Sequence, residues 1–155
     1  MNGTVTLREV AAADIPTFFE QQLDPEATRM GASPSRNQEA FAAHWAKVLA
    51  DPKVTVRTVL FRGAVAGNIV SFEQGGQRLA GYWIGREFWG KGIATRALSS
   101  FLEVDSMRPL FAHVAKRNLA SIRVLEKCGF AVWGEASAVS IAGGEPVDEL
   151  IMKID

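Results

Sequence analysis

The sequence is poor in the residues that most often build disulfide frameworks and metal sites. It contains one cysteine, Cys128, and two histidines, His44 and His113, which stand far apart in the chain. A single cysteine cannot close an internal disulfide, and two isolated histidines do not have the short spacing of metal ligands. We therefore expect neither a disulfide framework nor a bound metal.

Net charge and long apolar runs are also missing. Lysine plus arginine and aspartate plus glutamate number 17 each, so no basic field attracts nucleic acid. No apolar stretch approaches the ~20 residues that cross a bilayer, and the N-terminus has no basic start followed by an apolar run. We expect a cytoplasmic protein with neither nucleic acid nor a membrane as partner, and a single domain over residues 1–155.

The apolar pattern alternates between strand and helix periodicity along the chain. Val5 and Leu7 alternate with polar residues, which indicates a strand, and Asp14 ahead of a proline predicts a capped helix start. Asn37 predicts the cap of a second helix. Further strands are predicted at 54–61, 65–72, 79–84, 109–114, 130–135 and 147–154, and further helices at 93–105 and after Asn118. The expected fold class is α+β, with a mixed central sheet of about seven strands and helices on both faces.

The segment 83–95 has the composition of a phosphate-binding loop. It runs from a strand end through Gly90 and Gly92 to a helix start near Ile93. Glycines let backbone N–H groups turn toward one point, and the first turn of a helix adds the positive end of its dipole. The segment therefore predicts an anion site, with Lys91 as a candidate phosphate partner.

Three other interpretations of this loop stay open on these residues alone. Gly85 to Lys91 fits the Gly-x-x-x-x-Gly-Lys spacing of a P-loop, but Gly92 stands where serine or threonine would bind magnesium. Dinucleotide binding needs a third glycine at the position of Thr95. A plain turn with no ligand is the third interpretation.

Two blocks of sequence resemble the GNAT superfamily of acetyl-CoA-dependent N-acetyltransferases. Trp89-Gly90-Lys91-Gly92-Ile93-Ala94-Thr95 is similar to the family's pyrophosphate loop, especially in the ribosomal-protein N-terminal acetyltransferase branch. The run from Asn118 to Phe130 is similar to the helix after the family's fifth strand, and a weaker match covers Leu7 to Asp14. The resemblance implies the single-domain GNAT fold, in which the sheet splays near its fourth and fifth strands.

The resemblance also implies which residues hold acetyl-CoA as a co-substrate. Backbone groups of Trp83, Ile84 and Gly85 are expected to pair with the pantetheine arm, which Asn118 also touches. The pyrophosphate is expected to lie among the loop residues and the first helical turn, which are Trp89, Gly90, Lys91, Gly92, Ile93, Ala94 and Thr95.

The chain departs from the family pattern at two positions. Glu87 stands where the pattern has glutamine or arginine, and because a carboxylate facing the pyrophosphate would repel it, Glu87 is expected to point outward. Leu125 stands where many members have the tyrosine that protonates the departing CoA thiolate. The usual acid is therefore missing.

Glu73 and Ser121 are the candidate catalytic residues. An amine with a lysine-like pKa of ~10.4 must lose a proton before it can attack a thioester. Glu73, at the end of the strand before the loop strand, accepts that proton if it faces the sheet centre; an exposed turn carboxylate is the other interpretation. Ser121, placed toward CoA by the resemblance, is expected to hydrogen-bond the leaving sulfur or a water, or else to act as a second helix cap.

Four further reactive side chains are expected to be structural. Tyr82, the only tyrosine, is expected to pack in a strand with its hydroxyl hydrogen-bonded rather than to replace the missing acid, and Cys128 is expected to pack beside a helix end. For His113 the interpretations are a base on the fifth strand and a hydrogen-bonded strand residue, of which the second is commoner, and His44 is expected to lie on a helix surface. With no cysteine nucleophile, direct transfer is favoured over a covalent acetyl-enzyme.

The expected function is direct acetyl transfer from acetyl-CoA to a primary amine of a protein N-terminus, a lysine or a small molecule, by a monomer or homodimer. Because the usual acid is absent, a non-catalytic acetyl-CoA-binding module is the alternative. The loops 23–37 and 140–146 are expected to select the acceptor, since loops commonly carry specificity on a conserved scaffold.

Overall fold

In a computed structural model, which describes residues 3–26, 36–139 and 146–155, the chain folds around one central sheet. The strands are β1 (Val5–Arg8), β2 (Thr55–Phe61), β3 (Ala64–Gln74), β4 (Gln77–Ile84), β5 (Leu110–Ala115), β6 (Ala131–Val139) and β7 (Pro146–Ile154). The helices are α1 (Asp14–Gln22), α2 (Gln38–Ala50), α3 (Ile93–Val104) and α4 (Leu119–Lys127), and a 3-10 turn covers Arg86–Phe88. No helix among these residues is long and apolar enough to cross a bilayer.

The sheet has seven strands in the order β1-β2-β3-β4-β5-β7-β6. Neighbours are antiparallel except β4 and β5, which are parallel and share only the pairs Arg78 with Leu110 and Leu79 with Phe111. Beyond these pairs the two strands separate. The predicted mixed α+β sheet of about seven strands, splayed at its fourth and fifth strands, is confirmed.

Two apolar cores, one on each face, hold the helices against the sheet. On one face, Phe18 of α1 and Trp45 of α2 pack with Val56 of β2. On the other, Phe101 of α3 and Met152 of β7 lie in a larger cluster and are fully buried. Because strand residues alternate between the faces, β2 and β3 contribute to both cores.

A buried ion pair closes the N-terminal end of β4. Arg78 Nε donates to Asp105 Oδ2 at 2.9 Å, and both side chains are almost completely buried. The Ser71 hydroxyl donates to the same carboxylate, and a second Arg78 nitrogen donates to Lys53 O at 2.8 Å. Burial raises the pKa of Asp105, but the hydrogen bonds from Ser71, the Met107 N–H and Arg78 outweigh it, so the pKa lies below its ordinary value. The carboxylate is therefore charged and ties the end of α3 to β3 and β4.

Asp14 does not cap α1 as expected. The N-cap position is Ala13, which makes no side-chain hydrogen bond, and Asp14 is the first helical residue. Its carboxylate accepts from Arg8 at 2.7 and 2.9 Å, from the Ala11 N–H at 2.8 Å and from Thr58 Oγ1 at 2.7 Å. The Arg8 guanidinium and the other donors lower the pKa of Asp14 to about 2 despite its burial. The residue clamps α1 to β1 and β2.

The other predicted caps are present. Asn37 Oδ1 accepts from the Ala40 N–H at 2.8 Å, and Asn118 Oδ1 accepts from the Ser121 N–H at 3.2 Å. Gly129, after α4, has a φ of 97°, which only glycine adopts easily. Of the two loops predicted to select the acceptor, residues 27–35 and 140–145 lie outside the described residues.

Candidate active site

Two neighbouring cavities lie along β4. The larger, of about 570 Å³, lies where the C-terminal end of β4 meets the first turns of α3 and α4. The strand, the glycine loop and the two helices each form one wall. Its lining residues are Tyr82, Trp83, Ile84, Phe88, Trp89, Gly90, Gly92, Ile93, Ala94, Thr95, Asn118, Leu119, Ala120, Ser121, Arg123, Val124 and Lys127.

Two glycines in the left-handed region shape the loop wall of this cavity. Gly90 has a φ of 78°, and Gly92, the N-cap of α3, has a φ of 73°. No side chain caps the helix, so the N–H groups of its first turn are available to a ligand. Arg96 fixes the loop from behind, since its guanidinium donates to Lys91 O at 2.8 Å and to Gly3 O at 2.6 Å. The wall therefore has the backbone geometry that commonly binds anions at a helix start.

The charged side chains of this lining are cations. Arg123 and Lys127 lie one turn apart on α4, and the lining contains no aspartate or glutamate among the described residues. Glu87, which stands at the family's glutamine or arginine position, is exposed on the 3-10 turn and does not line the cavity. The electrostatics therefore favour an anionic ligand.

The structure brings most of the predicted cofactor residues together. Nine of the eleven line the larger cavity, and Gly85 and Lys91 do not. Gly85 is buried against Gln21, with a Cβ position 3.0 Å from the Gln21 amide nitrogen, and Lys91 is exposed. The residues in the lining are Trp83, Ile84, Trp89, Gly90, Gly92, Ile93, Ala94, Thr95 and Asn118.

The hydrogen bonds between β3 and β4 determine which backbone groups of β4 face the gap where β4 and β5 separate. The Gly85 N–H donates to β3 at 2.8 Å, and a Cβ at Gly67 of β3 would lie 1.9 Å from Trp83 O. Trp83 and Gly85 thus turn their backbone groups toward β3. Because alternate residues of an antiparallel strand point in opposite directions, Tyr82 and Ile84 face the gap. This corrects the expectation that the backbones of Trp83 and Gly85 pair with pantetheine.

A smaller cavity of about 160 Å³ occupies the gap between β4 and β5. Its walls include Gly81 of β4, His113 of β5 and Glu149 of β7. It shares four lining residues with the larger cavity, which are Tyr82, Trp83, Asn118 and Ser121. The two cavities are therefore neighbours, and we call the place where these four residues lie the junction.

Tyr82 and Ser121 form a hydrogen-bonded pair at this junction. Their hydroxyl oxygens lie 2.7 Å apart. Burial raises the pKa of Tyr82 to about 12, even though the hydrogen bond with Ser121 opposes the shift. Tyr82 therefore keeps its proton at neutral pH. Leu125, at the position of the family's tyrosine, is buried and lines the smaller cavity, and the phenol in this region comes from β4 instead.

Cys128 and Glu73 lie outside both linings. Cys128 Sγ donates to Thr95 O at 3.4 Å, and burial raises the pKa of its thiol, so the reactive thiolate is disfavoured. Glu73 is exposed at the hairpin end of β3, opposite Arg78. Arg78 precedes Tyr82 by four residues, or roughly 13 Å of strand. Glu73 therefore does not reach the junction.

Several lining residues were missed from the sequence. Arg123 and Lys127 have the i, i+4 spacing of one helix face, and Ala120 continues that face, which is a signal that could have identified them. His113 and Glu149 come from β5 and β7, so only the sheet order brings them together. That pairing leaves no local sequence signal.

Solved structures with this fold include enzymes with different acceptors. A Vibrio cholerae spermidine N-acetyltransferase with CoA and spermine has a TM-score of 0.84 and 18% identity, covering 97% of this chain and 94% of that one. RimL, a ribosomal L7/L12 alpha-N-protein acetyltransferase with coenzyme A, has a TM-score of 0.82 and 17% identity, covering 97% and 93%. A Sinorhizobium meliloti phosphinothricin acetyltransferase with AcCoA has a TM-score of 0.80 and 21% identity, covering 97% and 88%. The predicted ribosomal-protein branch is represented among them.

Sequence comparison identifies the family. No curated protein sequence matches the chain. Residues 4–131 match the family described as acetyltransferase (GNAT) domain, and this span includes the glycine loop and all of α4. The chain therefore belongs to the GNAT acetyltransferase family.

Proposed function

We propose that this protein transfers an acetyl group from acetyl-CoA directly to a primary amine. The observation that carries the proposal is the junction of the two cavities. The larger offers an anion site and a long cleft, the smaller opens into the strand gap, and both share Tyr82 and Ser121. This arrangement suits a long anionic donor on one side and a small nucleophile on the other.

The larger cavity fits the phosphates and the pantetheine arm of the donor. The N–H groups at the start of α3 and the glycine loop suit a pyrophosphate, and Arg123 and Lys127 add positive charge from α4. Among the described residues, the edge of β4 at Tyr82 and Ile84 is not paired with another strand, which suits the amides of pantetheine, because strand edges bind extended chains. Ile84 O accepts from Trp89 Nε1 at 2.8 Å, so a pantetheine amide that donates to this carbonyl shares it with the indole. The related structures named above contain CoA or AcCoA, which supports the same donor here.

Ser121 is proposed to stabilise the departing thiolate. Either hydroxyl can donate across the 2.7 Å that separates Tyr82 and Ser121. With Tyr82 as the donor, the Ser121 proton is free to point at a sulfur in the junction. A neutral phenol whose pKa is about 12 orients this proton without ionising. A hydrogen bond that strengthens as charge develops accelerates the reaction, because it stabilises the transition state more than the ground state.

Transfer is proposed to be direct, with the amine as the attacking group. The cysteine is outside both linings and its thiol is held protonated, so a covalent acetyl-enzyme on Cys128 lacks a nucleophile. The related structures are those of a spermidine, a ribosomal-protein and a phosphinothricin acetyltransferase. All three acceptor classes therefore belong in a first panel of amine substrates.

The test is CoA-thiol release from acetyl-CoA with polyamines, amino-acid amines and N-terminal peptides, beside calorimetric binding of acetyl-CoA. We expect amine-dependent release and a 1:1 complex. In a Gly92→Glu variant we expect the affinity for acetyl-CoA to fall at least ~100-fold. The backbone φ of 73° is strained for any residue except glycine, and the new carboxylate repels the phosphates.

Gly63→Glu is the matched control, since Gly63 also has a positive φ, of 81°, but lies in the β2–β3 turn away from both cavities. It is expected to bind acetyl-CoA as the wild type does. Binding without release for every amine would leave a non-catalytic acetyl-CoA-binding module. Absence of binding would reject the donor.

A further inference from the structure

The strand gap contains a histidine and a carboxylate that the proposed function has not yet used. His113 Nδ1 lies 3.6 Å from Glu149 Oε1, and the side chains are 35% and 19% exposed. Both residues line the smaller cavity together with Tyr82 and Ser121. A histidine–carboxylate pair therefore lies in the same cavity as the two hydroxyl groups.

The sheet fixes this pair on the acceptor side of the gap. Ala112 and Val114 of β5 lie in the core on the α3 and α4 face, so His113 between them points to the opposite face. Glu149 pairs with Ala115, two residues along β5 from His113, and so lies on that same face. The carboxylate contacts Nδ1, which leaves Nε2 as the nitrogen directed away from Glu149.

The pair has few charged neighbours. On this face β7 also carries Lys153, which binds Asp155 at 3.0 Å and lies 6.0 Å from the Phe111 ring. The β4 residues that face the gap from this side, Leu79, Gly81 and Trp83, carry no charge. Tyr82 reaches the cavity from the other face of the sheet. Among the described residues, Glu149 is therefore the charge placed to act on His113.

We infer that His113 is the general base of the reaction and that Glu149 is its positioning residue. The inference rests on the proposed acetyl transfer. An alkylammonium acceptor carries three protons on nitrogen, and the amide product keeps one. His113 Nε2 takes the first before attack and passes it to solvent, while Glu149 holds the ring and balances the imidazolium charge.

The remaining steps balance without another reagent. The amine nitrogen forms a bond to the thioester carbon, and the carbon–sulfur bond breaks with its electron pair on sulfur. Ser121 hydrogen-bonds that thiolate. The second nitrogen proton passes through His113 to neutralise the thiolate, so the products are the amide, the thiol of CoA and one proton released to solvent.

The test compares His113→Gln with wild type as a function of pH, using an alkylamine and hydroxylamine as acceptors. Hydroxylamine is largely neutral at pH 7, so it has less need of a base. We expect kcat/KM for the alkylamine to fall at least ~100-fold at pH 7. We also expect the decrease of kcat/KM toward low pH, the acid limb of the pH profile, to disappear. With hydroxylamine the loss is expected to be below about tenfold, and the acetyl-CoA Kd is expected to stay within twofold of wild type.

Three further variants are measured in the same way: Glu149→Gln, His44→Gln and Glu73→Gln. Glu149→Gln is expected to lower kcat about tenfold with the KM for acetyl-CoA unchanged and the acid limb retained, because the histidine is still present. His44 lies on α2 outside both cavities, and its variant is expected to match wild type.

The outcomes separate the inference from the proposed function. An unchanged pH profile in His113→Gln, or loss of the acid limb in Glu73→Gln instead, overturns the assignment of the base while acetyl transfer stands. A wild type that binds acetyl-CoA but transfers to no amine overturns the function and the base together.

Discussion

The two ends of β4 differ in how they are held and in what they offer. At the N-terminal end, β4 pairs with β5 at Arg78 and Leu79, and the buried pair of Arg78 with Asp105 ties it to α3. At the C-terminal end, beyond these pairs, both cavities open and the glycine loop begins. We call the N-terminal end the closed end and the C-terminal end the open end. The buried polar groups of the closed end bond to one another, whereas the open end keeps backbone and side-chain groups available to ligands. A rigid closed end is what positions the open one.

The largest effect is expected from breaking the closed end. Asp105→Ala leaves the Arg78 guanidinium buried without its carboxylate, and we expect a loss of about 3–5 kcal/mol in the free energy of unfolding. Urea denaturation measures it. The double variant Asp105→Leu with Arg78→Met is the control and is expected to recover much of the loss, because it removes the unpaired charge. A single variant as stable as wild type would show that the pair does not hold this end.

A smaller effect is expected from the clamp on the other face of the sheet. The pKa of Asp14 is lowered from its ordinary 3.8 to about 2 in the folded state, so its stabilisation is complete above the unfolded value and is lost as pH falls through the folded one. We expect wild type to lose about 1–2 kcal/mol between about pH 4 and about pH 2 through this residue, allowing for the solvent-exposed Arg8 partner. Asp14→Asn is expected to flatten this part of the pH–stability curve, and equal slopes in both proteins would contradict the clamp.

At the open end the expected effects are on activity and not on stability. Ser121→Ala removes the hydroxyl proposed to stabilise the departing thiolate, and we expect kcat to fall about tenfold, or ~1.4 kcal/mol, with the acetyl-CoA Kd unchanged. Steady-state kinetics and a melting curve test both parts. Ser99→Ala, on the exposed face of α3, is the matched control. If Ser121→Ala lowered the melting temperature as much as Asp105→Ala does, the two ends of β4 would not differ in their contribution to stability.

The smallest effect is expected from the cations of α4. Arg123→Gln and Lys127→Gln should each weaken acetyl-CoA binding a few-fold, because exposed charges contribute about 0.2–1 kcal/mol to an ion pair. Calorimetry at low and high salt measures the change, which is expected to shrink as salt screens the charges. Lys47→Gln, on α2 outside both cavities, should bind normally, and a salt-independent affinity in wild type would exclude a phosphate at these side chains.

The open end also shows how far the sequence could predict the site. The glycine loop and the Asn118 cap are local patterns, and nine residues predicted from them and from the family resemblance line the larger cavity. Of the three backbones expected to pair with pantetheine, those of Trp83 and Gly85 face β3 and that of Ile84 faces the gap, because the register with β3 sets this direction and no local pattern reports register. Tyr82 was expected to be only a packed, hydrogen-bonded side chain, yet its partner is Ser121, 39 positions away.

The fold was more predictable than the acceptor side. Strand and helix periodicities are local, so the element order and the mixed sheet follow from them, and the splay follows from the resemblance. The pairing of His113 with Glu149 depends on β7 inserting between β5 and β6, which places residues 36 positions apart side by side. The Asp14 carboxylate was misassigned as a cap because its partners Arg8 and Thr58 come from two different strands.

The most direct test of the central claim is a crystal structure of the protein with acetyl-CoA. The account predicts the pyrophosphate at the N–H groups of the first turn of α3, pantetheine along β4 at Tyr82 and Ile84, and the thioester sulfur within hydrogen-bond reach of Ser121. The acetyl carbon would then face the gap that contains His113. A complex in which acetyl-CoA lies outside the larger cavity, or in which its thioester points away from the strand gap, would contradict the account.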